Sequence, residues 1–203
     1  MNAGGAFDCE GQSLTSNNTR VRIGADFYLW TLLMVPVTYL LHELGHWGAG
    51  EMLGVDMWMT LNKAGPVDRA YPSEDIGILV ALAGPAVTVA IGIFAYFYAI
   101  MFRSAVAYGI LYIQFLLRGV AGGISLIGNH PNDEAAAGLA LGIGIYPITL
   151  GVVGFLLILL WDAARRLRPG FAHNLGAYVL INAAITAIVF SDGALRAVDF
   201  RLL

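Results

Sequence analysis

Charge is scarce in this sequence. Asp, Glu, Lys and Arg make up 12% of its 203 residues, about half of the roughly 25% that a soluble domain carries. So few charges cannot cover a water-facing globular surface, which excludes an ordinary soluble enzyme. Cysteine is almost missing. Cys9 stands alone, so no intrachain disulfide can form and redox chemistry does not mark a compartment. Basic charge is not in excess either. The formal net charge is −3 and no basic patch stands out, which excludes nucleic acid as a partner. Only four histidines are present, too few for a membrane di-iron oxygenase or desaturase. The first 22 residues lack a short apolar core followed by a small-residue cleavage site, so no cleaved signal peptide is expected. That stretch is rich in Gly, Ser, Asn and Thr, and a mobile polar tail is expected over residues 1–25. No internal repeat is visible.

Apolar sequence is what the chain has in abundance. Hydrophobic residues reach 58% and the mean hydropathy is +0.72. Several runs meet the length of about 20 apolar residues that a bilayer crossing needs. Five spans are expected, at 27–53, 76–102, 105–127, 135–161 and 175–190, within one membrane domain over 26–203. The fold class expected is an all-α polytopic membrane protein. Pro85 and Pro147 fall inside spans two and four, where proline removes a helix hydrogen bond and kinks or breaks the helix. Between the first two spans, Met57-Trp58-Met59-Thr60-Leu61 alternates weakly and Lys63-Ala64-Gly65-Pro66 is a turn signal. Two readings stand for this segment: a short hairpin at the membrane edge, or an irregular loop over the site. The chain is expected to be a multi-pass integral protein of a cytoplasmic or inner membrane, with the lipid bilayer as its constant partner. Six basic residues fall on the side of the N-terminus (Arg20, Arg22, Arg103, Arg165, Arg166, Arg168) and four on the other (Lys63, Arg69, Arg196, Arg201). The positive-inside rule would put the N-terminal side in the cytoplasm, but an excess of two does not fix the orientation.

The chemistry is concentrated in His42-Glu43-Leu44-Gly45-His46. On a helix, positions i and i+4 share a face, so both imidazoles can point at one metal ion. Glu43 follows His42 by about 100° of turn, which sets a carboxylate beside that ion without making it a ligand. Zinc would need a third protein ligand and an open position for water. The alternative is a pair of structural histidines at a helix end. Depth weighs against that alternative. At about 1.5 Å per residue, His42 lies about 24 Å along the helix from Asp26, inside a hydrocarbon core about 30 Å thick. An ionisable residue at that depth is costly, and function is its default explanation. The same holds for Arg118, about mid-span, which must face the protein interior or a wet cavity. It can bind carbonyls of a substrate, or it can fix a structural carbonyl or acid.

Span counting brings a second group to the same membrane face. Spans one and three end on one side, and span three is followed by Asn129-His130-Pro131-Asn132-Asp133-Glu134. A third ligand is expected there, with His130, Asp133 and Glu134 as candidates. Asn132 or Asp133 could instead cap the next helix.

Taken together, the chain resembles the site-2 protease family of intramembrane zinc metallopeptidases over about residues 27–140. The resemblance rests on the histidine motif inside a span, on Ala83-Gly84-Pro85 opening the next span, and on the Asn/Pro/Asp cluster after the third. It implies a three-helix metalloprotease-like core, Zn2+ as cofactor, His42, His46 and Asp133 as ligands, and Glu43 as general base. Thr88 stands where the family has Asn, and Glu134 where the family has Gly after the ligand Asp. Thr88, Asn129, Arg118 and Glu134 are therefore candidate substrate-contacting or supporting residues. The function implied is a zinc endopeptidase that cleaves a membrane-protein substrate in or near a transmembrane segment. The alternative is a non-catalytic subunit that keeps the fold to bind and stabilise a larger membrane complex.

Overall fold

A computed structural model describes residues 21–128 and 130–196. Residues 1–20 of the tail expected over 1–25, and the last residues of the chain, lie outside this part. Six helices and one hairpin follow in order: α1 (Ala25–Met52), β1 (Met57–Met59), β2 (Ala64–Pro66), α2 (Glu74–Phe102), α3 (Ala105–Gly128), α4 (Asp133–Ala140), α5 (Tyr146–Leu167) and α6 (Phe171–Arg196). All but α4 carry a stretch long and apolar enough to cross a membrane. The expected five-span, all-α architecture is present.

Local sequence explains where the helices start and stop. Ser73 caps α2, its Oγ accepting from the Ile76 N–H at 3.3 Å, and Glu74 and Asp75 fill the first turn. Acidic residues are favoured there by the helix dipole. α2 and α5 end at Arg103 and Arg168, both in the left-handed region at φ 49° and 53°. α1 and α2 pass Pro36 and Pro85 as continuous helices. The fourth span differs from expectation. One span over 135–161 with a kink at Pro147 is replaced by short α4 and long α5. The connection holds Gly142 and Gly144 at φ 71° and 85°, a conformation glycine adopts without strain. Pro147 sits in the first turn of α5, where its missing N–H costs no helix bond. α6 also starts earlier than the expected fifth span, at Phe171.

α3 is the central helix and touches α1, α2, α4, α5 and α6. Leu111, Ile113, Leu116 and Leu117 of α3 form a buried cluster with Phe27 and Val35 of α1, Leu160 and Leu167 of α5, and Ile181 and Ile185 of α6. Polar side chains cross-link the helices within it. Gln114 donates to Thr38 Oγ1 at 3.2 Å, Tyr108 to Asn174 Oδ1 at 2.7 Å, and Tyr96 to Asp162 Oδ2 at 2.6 Å. Outward faces carry Leu29, Trp30, Leu33, Phe94, Phe97, Met101, Leu157, Ile158 and Trp161, all exposed. So many exposed large apolar side chains suit hydrocarbon, not water.

Of the two readings for the segment between the first two spans, the hairpin is the one present. β1 and β2 pair antiparallel, Met57 opposite Pro66 and Met59 opposite Ala64. Met57 and Met59 are buried, and the Met57 N–H donates to Glu51 Oε1 at 2.9 Å. Gly50 lets Met57 press on the end of α1, since a Cβ there would meet the Met57 side chain at 2.5 Å. The hairpin therefore roofs the end of α1 that carries the histidines.

Candidate metal centre

α1 and α2 approach closely at the histidine motif. A Cβ on Gly45 would lie 3.1 Å from the Ala83 carbonyl oxygen and 3.2 Å from Gly84 Cα. Facing it, a Cβ on Gly84 would press into His46 Nε2 and lie 2.7 Å from His42 Cε1. Two glycines thus leave the slot into which both imidazoles fit. His42 and His46 are buried at 4% and 6% exposure, and their rings meet edge to face.

Each ring is fixed by its outer nitrogen. His46 Nδ1 lies 2.7 Å from the Val80 carbonyl oxygen, which can only accept. In the neutral imidazole the proton is therefore on Nδ1 and Nε2 is bare. Thr88 donates its hydroxyl proton to the Gly84 carbonyl oxygen at 3.2 Å. Its Oγ1 is then free to accept from His42 Nδ1 at 2.9 Å, so His42 Nε2 is bare as well. The two bare nitrogens face each other at 3.2 Å.

Asp133 completes the group. Asn132 caps α4, its Oδ1 accepting from the Ala135 N–H at 3.1 Å, which releases Asp133 from that duty. Asp133 Oδ2 lies 3.1 Å from His42 Nε2 and 3.6 Å from His46 Nε2. Three ligand atoms about 2.0–2.2 Å from a tetrahedral ion lie about 3.3–3.6 Å apart. The observed edges of 3.1, 3.2 and 3.6 Å are close to that triangle, two of them slightly shorter. Three lone-pair donors cannot face one another at this range without a cation between or beside them. His42, His46 and Asp133 can therefore hold a metal ion.

Arg118 Nη1 donates to the same Asp133 Oδ2 at 3.0 Å and sits 3.4 Å from His42 Nε2. Glu134, 1% exposed, backs it at 3.4 Å. Burial pushes the Asp133 carboxyl up, but the Arg118 guanidinium beside it opposes that, and the carboxyl is held well below the usual range. Burial likewise raises Glu134, and Arg118 only partly opposes it. Glu43 is 6% exposed and lines, with the three converging residues and Arg118, a cavity of about 790 Å³. Ligand sites commonly occupy about 300–1,000 Å³.

Of the candidates for the third position, Asp133 joins the histidines. Glu134 instead accepts from Asn132 Nδ2 at 2.7 Å, and His130 lines the cavity without entering the group. Arg118 fixes acids, the second of its two expected uses. Asn129 lies outside the described residues. Two contributors were not visible in sequence. The Val80 carbonyl is backbone and leaves no residue signature. Tyr71 lines the cavity, its phenol pushed up by burial and then by the Asp133 charge. A polar connection gave no reason to single it out.

Compared with models of protein families, with curated proteins and with solved structures, the chain matches none. The Thr88 contact carries its own expectation. Thr88→Val keeps the shape and loses the acceptor for His42 Nδ1. Metal affinity should fall about 10–100-fold, the usual cost of losing such a supporting hydrogen bond. Thr88→Ser should retain it. Equal affinity of Thr88→Val and the parent protein in a chelator competition would remove Thr88 from the centre.

Proposed function

We propose that the chain is an intramembrane zinc metalloendopeptidase. One observation carries this: two bare imidazole nitrogens and one carboxylate oxygen converge beside Glu43 at a cavity among apolar helices. Nitrogen and oxygen donors in a roughly tetrahedral half-shell suit zinc, and three protein ligands leave the open position of a catalytic site. Zinc held there would supply Lewis acidity to water and to a peptide carbonyl. Glu43 takes the proton of the attacking water and delivers it to the leaving amide nitrogen. His42 and His46 are kept in the ligating tautomer by Thr88 and the Val80 carbonyl. The apolar cavity walls keep bulk water from a segment that must locally unwind, since helical peptide bonds are shielded in lipid.

One ground for the reading of a non-catalytic subunit is that Thr88 stands where the resemblance calls for Asn. Thr88 makes the hydrogen bond that orients His42, so that departure no longer counts against a working centre. The test is direct. Purified protein should carry about one zinc per chain, the content of a single three-ligand site. Reconstituted in liposomes, it should cleave transmembrane peptides within or near their apolar segment, and a zinc chelator should stop the cleavage. Metal-free protein after purification in zinc-containing buffer, or chelator-insensitive cleavage, would sink this proposal.

A further inference from the structure

Arg118 and Glu134 remain once the centre has been assembled. One nitrogen, Arg118 Nη1, touches three acceptors: Asp133 Oδ2 at 3.0 Å, His42 Nε2 at 3.4 Å and Glu134 Oε1 at 3.4 Å. Two of these are the atoms that would hold the metal. A guanidinium and a divalent cation cannot share them, because like charges within about 4–6 Å strongly oppose one another. The neighbourhood also holds an unmade hydrogen bond. Arg118 Nε, a donor, and Glu134 Oε1, an acceptor, are both buried without a hydrogen-bond partner. Burying a donor and an acceptor unsatisfied is unfavourable, and both belong to this one ion pair. Glu134 is held in place from its other oxygen, which accepts from Asn132 Nδ2 at 2.7 Å.

We propose that Arg118 has two seats and that metal binding moves it from one to the other. Without an ion, Nη1 rests on Asp133 Oδ2 and supplies the positive charge that the three facing donors require. With an ion, the guanidinium turns to Glu134 Oε1 and satisfies its own Nε there, while Asp133 Oδ2 passes to the metal. Glu134 is the counter-ion that makes this transfer possible. Both are positioning residues, since neither is a ligand. The glutamate that follows Asp133, where the resemblance calls for Gly, has its explanation in Arg118.

This inference rests on the proposed metal centre, so the test separates the two. Zn2+ is titrated into metal-stripped, full-length protein against a competing chromogenic chelator. Glu134→Gln should weaken binding about 10–100-fold, because Arg118 then stays on Asp133. Arg118→Met should tighten it about ten-fold or more, the scale on which one close charge shifts such an equilibrium. In the double variant the Glu134→Gln loss should vanish. Wild-type affinity in Glu134→Gln, or weaker binding in Arg118→Met, overturns the exchange and makes Arg118 a plain support of Asp133. Should Glu134→Gln fail to fold, Arg118→Met against wild type decides alone. Wild-type protein that binds no Zn2+ overturns the centre itself, and the exchange with it.

Discussion

Replacing Glu43 by Gln is expected to abolish peptide-bond cleavage and leave the metal bound. The two side chains have nearly the same shape, so the helix and the two histidines on either side keep their places. What changes is proton chemistry. A carboxylate accepts the proton of the attacking water; a neutral amide does not. General acid–base catalysis contributes about 10²–10⁴-fold, and the variant should lose at least that much in kcat. Glu43 is not one of the three converging donors, so zinc content should stay at the parental level. Both quantities are needed from one preparation. Inductively coupled plasma measurement gives the zinc, and mass spectrometry of a reconstituted transmembrane peptide gives the cleavage rate. A variant with full zinc and undiminished cleavage would remove Glu43 from the role of base. A variant that has lost its zinc would make Glu43 part of the metal-binding structure.

Much of the fold and of the candidate metal site was legible in sequence, for identifiable reasons. The spans were visible because burial in lipid demands uninterrupted apolar runs. The His42/His46 pair was visible because a metal site on one helix must repeat at i and i+4. The cluster from His130 to Glu134 was reachable by counting membrane crossings, since two odd crossings end on the same side; Asp133 within it came from the resemblance. What stayed hidden depends on contacts between distant residues. Nothing local in Glu134 announces Arg118, sixteen positions away and a helix earlier. The Val80 carbonyl carries no side-chain signature at all. The fourth span was misjudged because Gly142 and Gly144 sit in a run whose hydropathy is high enough to pass for helix. Their positive φ values, and Pro147 just beyond, start a new helix instead. At Pro85 the helix does not break, since α2 continues through it, and the residue that shapes the candidate site there is the glycine before it.

That glycine gives the second large effect. Gly84→Ala is expected to empty the metal centre and leave the bundle folded. The added methyl would meet His46 Nε2, one of the three converging donor atoms, and would lie 2.7 Å from His42 Cε1 and His46 Cδ2. Neither ring can retreat within its own bonding. His42 is held by Thr88 at 2.9 Å and His46 by the Val80 carbonyl at 2.7 Å. Nor can the helices part freely, since Gly45 on α1 abuts the same stretch of α2. One imidazole must therefore leave its rotamer, and the triangle of donors opens. Overpacking of this size costs about 1–3 kcal/mol, which lowers stability without unfolding a bundle whose five spans bury one another elsewhere. Zinc content should fall from about one per chain, the content of a single three-ligand site, to near zero, and cleavage should go with it. Gly48→Ala is the matched control. It adds the same methyl to α1, half a turn past His46, where nothing lies within 4 Å; zinc and stability should be unchanged or slightly improved, as alanine favours helix over glycine. Thermal unfolding and zinc analysis of the two variants side by side decide the matter. Parental zinc in Gly84→Ala would mean that the imidazoles do not need the slot, and the centre would have to be built some other way.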